Sequence, residues 1–303
     1  MHEQAPGRPA LANARSGGSE VAQRPSVRVG MTRIALVGVD FTSRPTRAKP
    51  IVVAHGTREG GAVRLERLVS YRDASGYARW LAEPGAWVGG FDLPFGLPRT
   101  LVESLGWPTD WLALMRHVAA LPRAALRETF AAYCAARPAG AKFAQRACER
   151  PAGSSPAMKW VNPPVAYMLH AGVMPLVDAG VLVAGHRAEG DPRRVALEAY
   201  PGLLARDVLG RRPYKSDERA RQTPARRAAR ADLVGAIGRG HPRVGLRLVF
   251  GHDQRDALVD DASGDSLDAS LCLLAAGRAA TEARWGWPEG VDPLEGWIAG
   301  ARG

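Results

Sequence analysis

The chain has few cysteines and no long apolar run, and each shortage excludes a class of protein. Only Cys134, Cys148 and Cys272 occur in 303 residues, without the close paired spacing of a zinc site or the density of a disulfide framework. A reducing cytoplasm is therefore the expected compartment. No stretch approaches the roughly twenty apolar residues that a transmembrane helix requires, so no membrane partner is expected. No internal repeat and no nucleotide-binding glycine fingerprint is evident, and His170, His186, His241 and His252 lack metal-binding spacing. The first thirty residues are polar and rich in Gly, Pro, Ser and Arg, with nothing of secretory type. They read as a disordered leader before a single domain over residues 31–300, with Met31 as an alternative start.

What is present suits a folded enzyme. With 46% hydrophobic and 23% charged residues the chain has material for a substantial core. The formal net charge of +11 suits a polyanionic partner. Arginine is abundant throughout, however, and biased composition alone supplies such charge.

The pattern is α/β. Ile34 to Val39 is a short apolar run ending in Asp40, Pro50 to His55 reads as its hairpin partner, and Val63 to Tyr71 alternates as a third strand. A short helix over Ser75 to Ala82 precedes a strand over Ala86 to Phe91 that ends in Asp92. Right-handed connection rules place the first and fourth strands side by side, which would bring Asp40 and Asp92 together. From 99 to 190 the pattern turns helical, as in WLALMRHVAAL and ALRETFAAYCAA, and reads as an insertion after the fourth strand. Arg194 to Ala199 resumes the strand pattern, and Tyr200 to Leu209 begins a helix with Pro201 in its first turn. Arg211 to Arg230 is densely basic, and Ala231 to Ile237 is amphipathic. A last helix from about Ser266 to Arg284 places Leu267, Leu271, Leu274 and Ala275 at helical spacing.

The acidic residues carry the chemistry. Asp40 in ALVGVDFTS and Asp92 in WVGGFDLPFGLP stand directly after buried strand patterns, where a charge is unfavourable unless a cation meets it. Asp265 and Asp268 lie three residues apart at a helix start and project from one face. Converging carboxylates of this kind suit magnesium or manganese. Asp265 also suits a helix cap and Asp268 a first-turn charge favoured by the helix dipole. Arg211, Arg212, Lys215, Arg219 and Arg221 could line a phosphate-backbone groove or form a solvated surface. Trp160 and Asn162 read as packing and turn residues before base-binding ones. His252, Asp253 and Asp256 precede the last helix and could approach the site, though a place outside it is the plainer reading.

GVDFTS also resembles the first phosphate loop of actin-like and sugar-kinase ATPases, with Thr42 and Ser43 as phosphate or turn residues. Phe41 occupies a place where that loop needs flexibility, so an ATP-dependent phosphotransferase is the second enzyme reading. In order, GVDFTS, GGFDLPFGLP, LEAYP and DSLDASLCLLAA resemble the motif series of the predicted nuclease family called domain of unknown function 429, in the ribonuclease H-like superfamily. The resemblance spans about Thr32 to Arg284, and FDLPFGLP is its most specific piece. It implies a five-stranded mixed sheet flanked by helices and a metal-dependent nuclease acting on DNA or RNA. It carries over Asp40, Asp92 and Asp268, with Asp265, as metal ligands, and Glu198 as a further catalytic residue. A nucleic-acid-binding protein of the same fold without turnover is the non-enzyme alternative.

Overall fold

A computed structural model describes residues 33–302. The expected leader lies outside the described residues. β1 (Ile34–Asp40), β2 (Ile51–Glu59) and β3 (Ala62–Tyr71) form an antiparallel meander. α1 (Ala74–Ala82) starts at Asp73, whose side chain accepts from the Gly76 N–H and so satisfies one of the helix's orphan donors. β4 (Trp87–Asp92) then returns parallel to β1.

The segment after β4 carries α2 (Arg99–Ser104), α3 (Trp111–Ala120), α4 (Arg123–Ala135), the short α5 (Glu149–Ala152) and α6 (Val165–Asp178). It ends in a strand, β5 (Val181–Val183). Then follow β6 (Asp191–Glu198), α7 (Pro201–Leu209), α8 (Pro224–Arg239), β7 (Arg247–Val249), α9 (His252–Asp260) and α10 (Asp265–Ala279). Pro201 opens α7, where its missing N–H leaves no helical bond unmade.

One mixed sheet runs in the order β5-β6-β4-β1-β2-β3-β7. It has seven strands where five were expected. The additions, β5 and β7, are edge strands of three residues each, too short to show the alternation by which strands are read. β5 falls inside the segment 99–190, which the sequence pattern reads as helical stretches. The last helix stops at Ala279 instead of Arg284. Arg284 and Trp285 adopt left-handed backbone (φ 52° and 58°), which cannot continue a right-handed helix.

Alternation along the central strands builds two cores. Val37, Val39, Ile51 and Val53 face α1, α3, α4 and α6, meeting Tyr77, Leu114, Phe130 and Leu169. Leu36, Val52, Ala54 and Leu65 face the layer of α7 to α10, meeting Leu204, Leu233 and Leu273. α10 is buried on almost every side, hence its nearly continuous small and apolar sequence.

Two strand glycines let α10 lie directly on the sheet. A Cβ on Gly38 would collide with the backbone of Ala269 and Leu273, and one on Gly90 with the backbone of Cys272. Gly38→Ala is therefore expected to lower stability by at least about 2 kcal/mol through overpacking, read as a lower urea midpoint at unchanged m-value. A variant as stable as the parent would show that this close approach is not needed.

Candidate metal centre

Asp40 and Asp92 end β1 and β4 and are direct partners across the parallel ladder. Parallel neighbours place both C-terminal ends on one edge of the sheet, where ligand sites of α/β folds collect. The seating of α10 over Gly38 and Gly90 brings Asp268, in its first turn, to the same point. One carboxylate oxygen from each of Asp40, Asp92 and Asp268 lies within 4.8 Å of the others, a cluster that can hold a metal ion. Asp40 and Asp268 are buried and Asp92 is half-buried.

Burial and mutual repulsion act together here. Burial, then the Asp268 charge, hold the Asp40 carboxyl well above the usual range, opposed by Lys215. Asp92 is pushed up to about 7, again by burial first, with Lys215 pulling down and Asp268 and Glu198 pushing up.

Two lysines answer the carboxylates, and neither was expected in this place. Lys215 belongs to the basic stretch that reads as a phosphate-backbone groove or a solvated surface. Its ammonium instead pairs with Asp268, its stem crosses Gly264 at the start of α10, and the neighbouring Tyr214 hydroxyl donates to Asp268 at 2.6 Å. The Lys215 side chain is 42% exposed; the protein packed around its ammonium opposes the charge, but Asp268 first, with Tyr214, Asp40 and Asp92, holds its pKa well above normal. Lys49, in the loop before β2, donates to Asp265 at 2.6 Å and to Asp217 at 2.7 Å. Asp265 thus stands beside the three-oxygen cluster, held by a lysine; burial raises its carboxyl, and Lys49 opposes the rise. No local spacing signals either contact, since Lys49 and Asp265 are 216 positions apart.

Glu198 ends β6 but lies outside the three-oxygen cluster. Arg146 donates to both of its carboxylate oxygens, at 2.6 and 2.7 Å, and the Phe95 N–H adds a bond of 2.9 Å. Arg146 also donates to Glu149 at 2.8 Å, and all three side chains are at most 4% exposed. The segment after β4 therefore supplies the cation that makes a buried Glu198 tolerable. Nothing around Arg146 in the sequence marked it.

The basic stretch divides. Arg212 pairs with Asp232 and Arg221 with Glu218, whereas Arg211 and Arg219 make no ion pair among the described residues. Arg230 is buried in α8 and donates to the carbonyls of Val259 and Tyr214, locking the Lys215 loop against α9. His252 pairs with Asp256 on the exposed side of α9, and neither they nor Asp253 join the cluster. Trp160 packs against Phe143.

No helix among the described residues is long and apolar enough to cross a membrane. Comparison with protein-family models, curated proteins and solved structures returned no match.

Two outcomes test these assignments. Arg146→Met should lower stability by about 3–5 kcal/mol, because it leaves Glu149 and Glu198 buried without their cation; a chemical melt showing a loss below about 1 kcal/mol would mean that the triad is solvated. The second concerns pH. An Asp with a raised folded pKa binds its proton more tightly when folded, so its contribution is complete below the unfolded pKa and disappears as pH rises through the folded one. With Asp92 near 7, the metal-free parent should lose melting temperature relative to Asp92→Asn between about pH 5 and pH 8. Parallel profiles for parent and variant would show that Asp92 titrates as an ordinary carboxylate.

Proposed function

We propose that the chain is a ribonuclease H-like phosphodiesterase that cleaves nucleic acid with magnesium or manganese held by Asp40, Asp92 and Asp268. The observation that carries this reading is the meeting of three carboxylates from three separate elements within 4.8 Å. The set offers oxygen donors only, without thiol or imidazole, which suits a hard divalent cation. The central strands β3-β2-β1-β4-β6 form a five-stranded mixed core in which β2 alone is reversed, with helices on both faces. That arrangement supports the ribonuclease H-like assignment, with β5 and β7 as additions.

A divalent ion at this centre would lower the pKa of a water and stabilise the leaving oxygen of the phosphodiester. In the hydrolysis the water oxygen bonds to phosphorus and gives up a proton, while the bond from phosphorus to the sugar oxygen breaks and that oxygen gains one. Lys215 offers the substrate phosphate a cation beside Asp268, and Asp265 is kept in place by Lys49. Glu198, held by Arg146 and the Phe95 N–H, anchors the end of β6 beside the centre and stands outside the three-oxygen cluster. The net charge of +11 fits a polyanionic partner, as do Arg211 and Arg219, which make no ion pair among the described residues.

One observation favours a second reading. Lys215 and Lys49 already balance part of the acidic charge, so a chain that keeps them there without metal would be a nucleic-acid-binding protein without turnover.

Thermal melts and cleavage of a labelled oligonucleotide separate the two. Under the nuclease reading, magnesium or manganese at a hundred times its Kd adds about 2.7 kcal/mol of stability. Asp268→Asn, in which the amide still accepts from Tyr214, removes that gain and lowers cleavage at least about 100-fold, the scale of losing one charge-stabilising group. A parent whose melting temperature ignores both metals and that binds without cleaving supports the second reading.

A further inference from the structure

Beside the carboxylates opens a cleft of about 570 Å³, with Asp92, Tyr214 and Lys215 among its lining. Its size falls inside the range of about 300–1,000 Å³ typical of small-molecule sites. That space is enough for one nucleotide, whereas a continuous duplex is too wide to enter. Its flank is apolar, formed by Val165 and Met168 of α6 and Leu209 of α7. Tyr200 adds an aromatic wall, and its ring is fixed by the Arg206 guanidinium 5.3 Å from the centroid, which also donates to the Tyr200 hydroxyl. Arg211 stands on the cleft lining without an ion-pair partner among the described residues.

These features make opposite demands at the two ends. The side with Asp92 and Lys215, next to the candidate ion, suits an anionic phosphate. The apolar and aromatic flank suits a flat, uncharged ring, and stacked bases on such walls bind with little dependence on sequence. Only a nucleotide unpaired from its partner strand offers both within one residue.

From this juxtaposition we infer that the cleft takes one unpaired nucleotide, its base against Tyr200, Met168 and Leu209 and its phosphate at Asp92 and Lys215. The substrate is then single-stranded nucleic acid or a frayed end, and not a continuous duplex. The inference rests on the phosphodiesterase reading, from which it takes the position of the reacting phosphate.

Fluorescence anisotropy with labelled oligothymidylate and with a blunt duplex, both built with hydrolysis-resistant phosphorothioate linkages and both in magnesium, tests it. The parent should bind the single strand at least about tenfold more tightly, the scale of one stacked base. Leu209→Trp, which fills the cleft, should remove that preference, Leu209→Met should keep it, and both should retain the magnesium-induced rise in melting temperature. Arg211→Glu, on the exposed rim, should weaken single-strand binding and keeps the test valid if Leu209→Trp does not fold. Equal affinity of the parent for the two probes, or unchanged single-strand binding in Leu209→Trp or Arg211→Glu, overturns the cleft assignment. If the parent shows no magnesium response yet keeps its single-strand preference, the metal reading fails and nucleotide capture by the cleft stands.

Discussion

Helix α10 rests on β1 and β4 with no side chain between the backbones at Gly38 and Gly90, and the three carboxylates meet because of that contact. Strand register alone sets Asp40 beside Asp92. The third carboxylate needs a helix close enough for its first turn to reach the strand ends. A methyl group at either glycine would push α10 outward, and Asp268 would move with it. The centre is therefore a product of backbone packing, and its precision comes from the most buried helix of the fold.

That closeness concentrates negative charge where water is scarce. Asp40, Asp92 and Asp268 sit within reach of one another, and Asp265 adds a fourth carboxylate nearby. Protonation, lysine pairing and a divalent ion are three answers to the same repulsion, and they exclude one another in part. The raised pKa values of Asp40 and Asp92 reflect the first, and Lys215 and Lys49 provide the second. A metal arriving at the centre meets protons and ammonium groups already there, so its apparent affinity depends on what it displaces.

Much of this was legible in the sequence, for a simple reason. Asp40 and Asp92 follow apolar runs that read as buried strands, and Asp268 precedes an apolar run at helical spacing, so local pattern indicated where each would stand. The adjacency of β1 and β4 followed from connection rules. β5 and β7 escaped because three residues carry no period. Lys49, Lys215 and Arg146 escaped as partners because a long flexible cation shows no periodicity and meets its carboxylate across 216, 53 and 52 positions of chain. Strand ends are written locally, whereas counter-charges are written only in the folded arrangement.

Arg146 and Glu149 belong to the segment between β4 and β5, while Glu198 belongs to the sheet. A helical insertion is often pictured as a removable module whose loss leaves the parent fold intact. Here the boundary is crossed by a buried charge pair, so excising the segment would strand a carboxylate at the end of a central strand. Grafting the sheet onto another scaffold, or shortening the chain to its strands and α10, would have to replace Glu198 together with the segment. Any change to Arg146 or Glu149 is therefore felt at the end of β6.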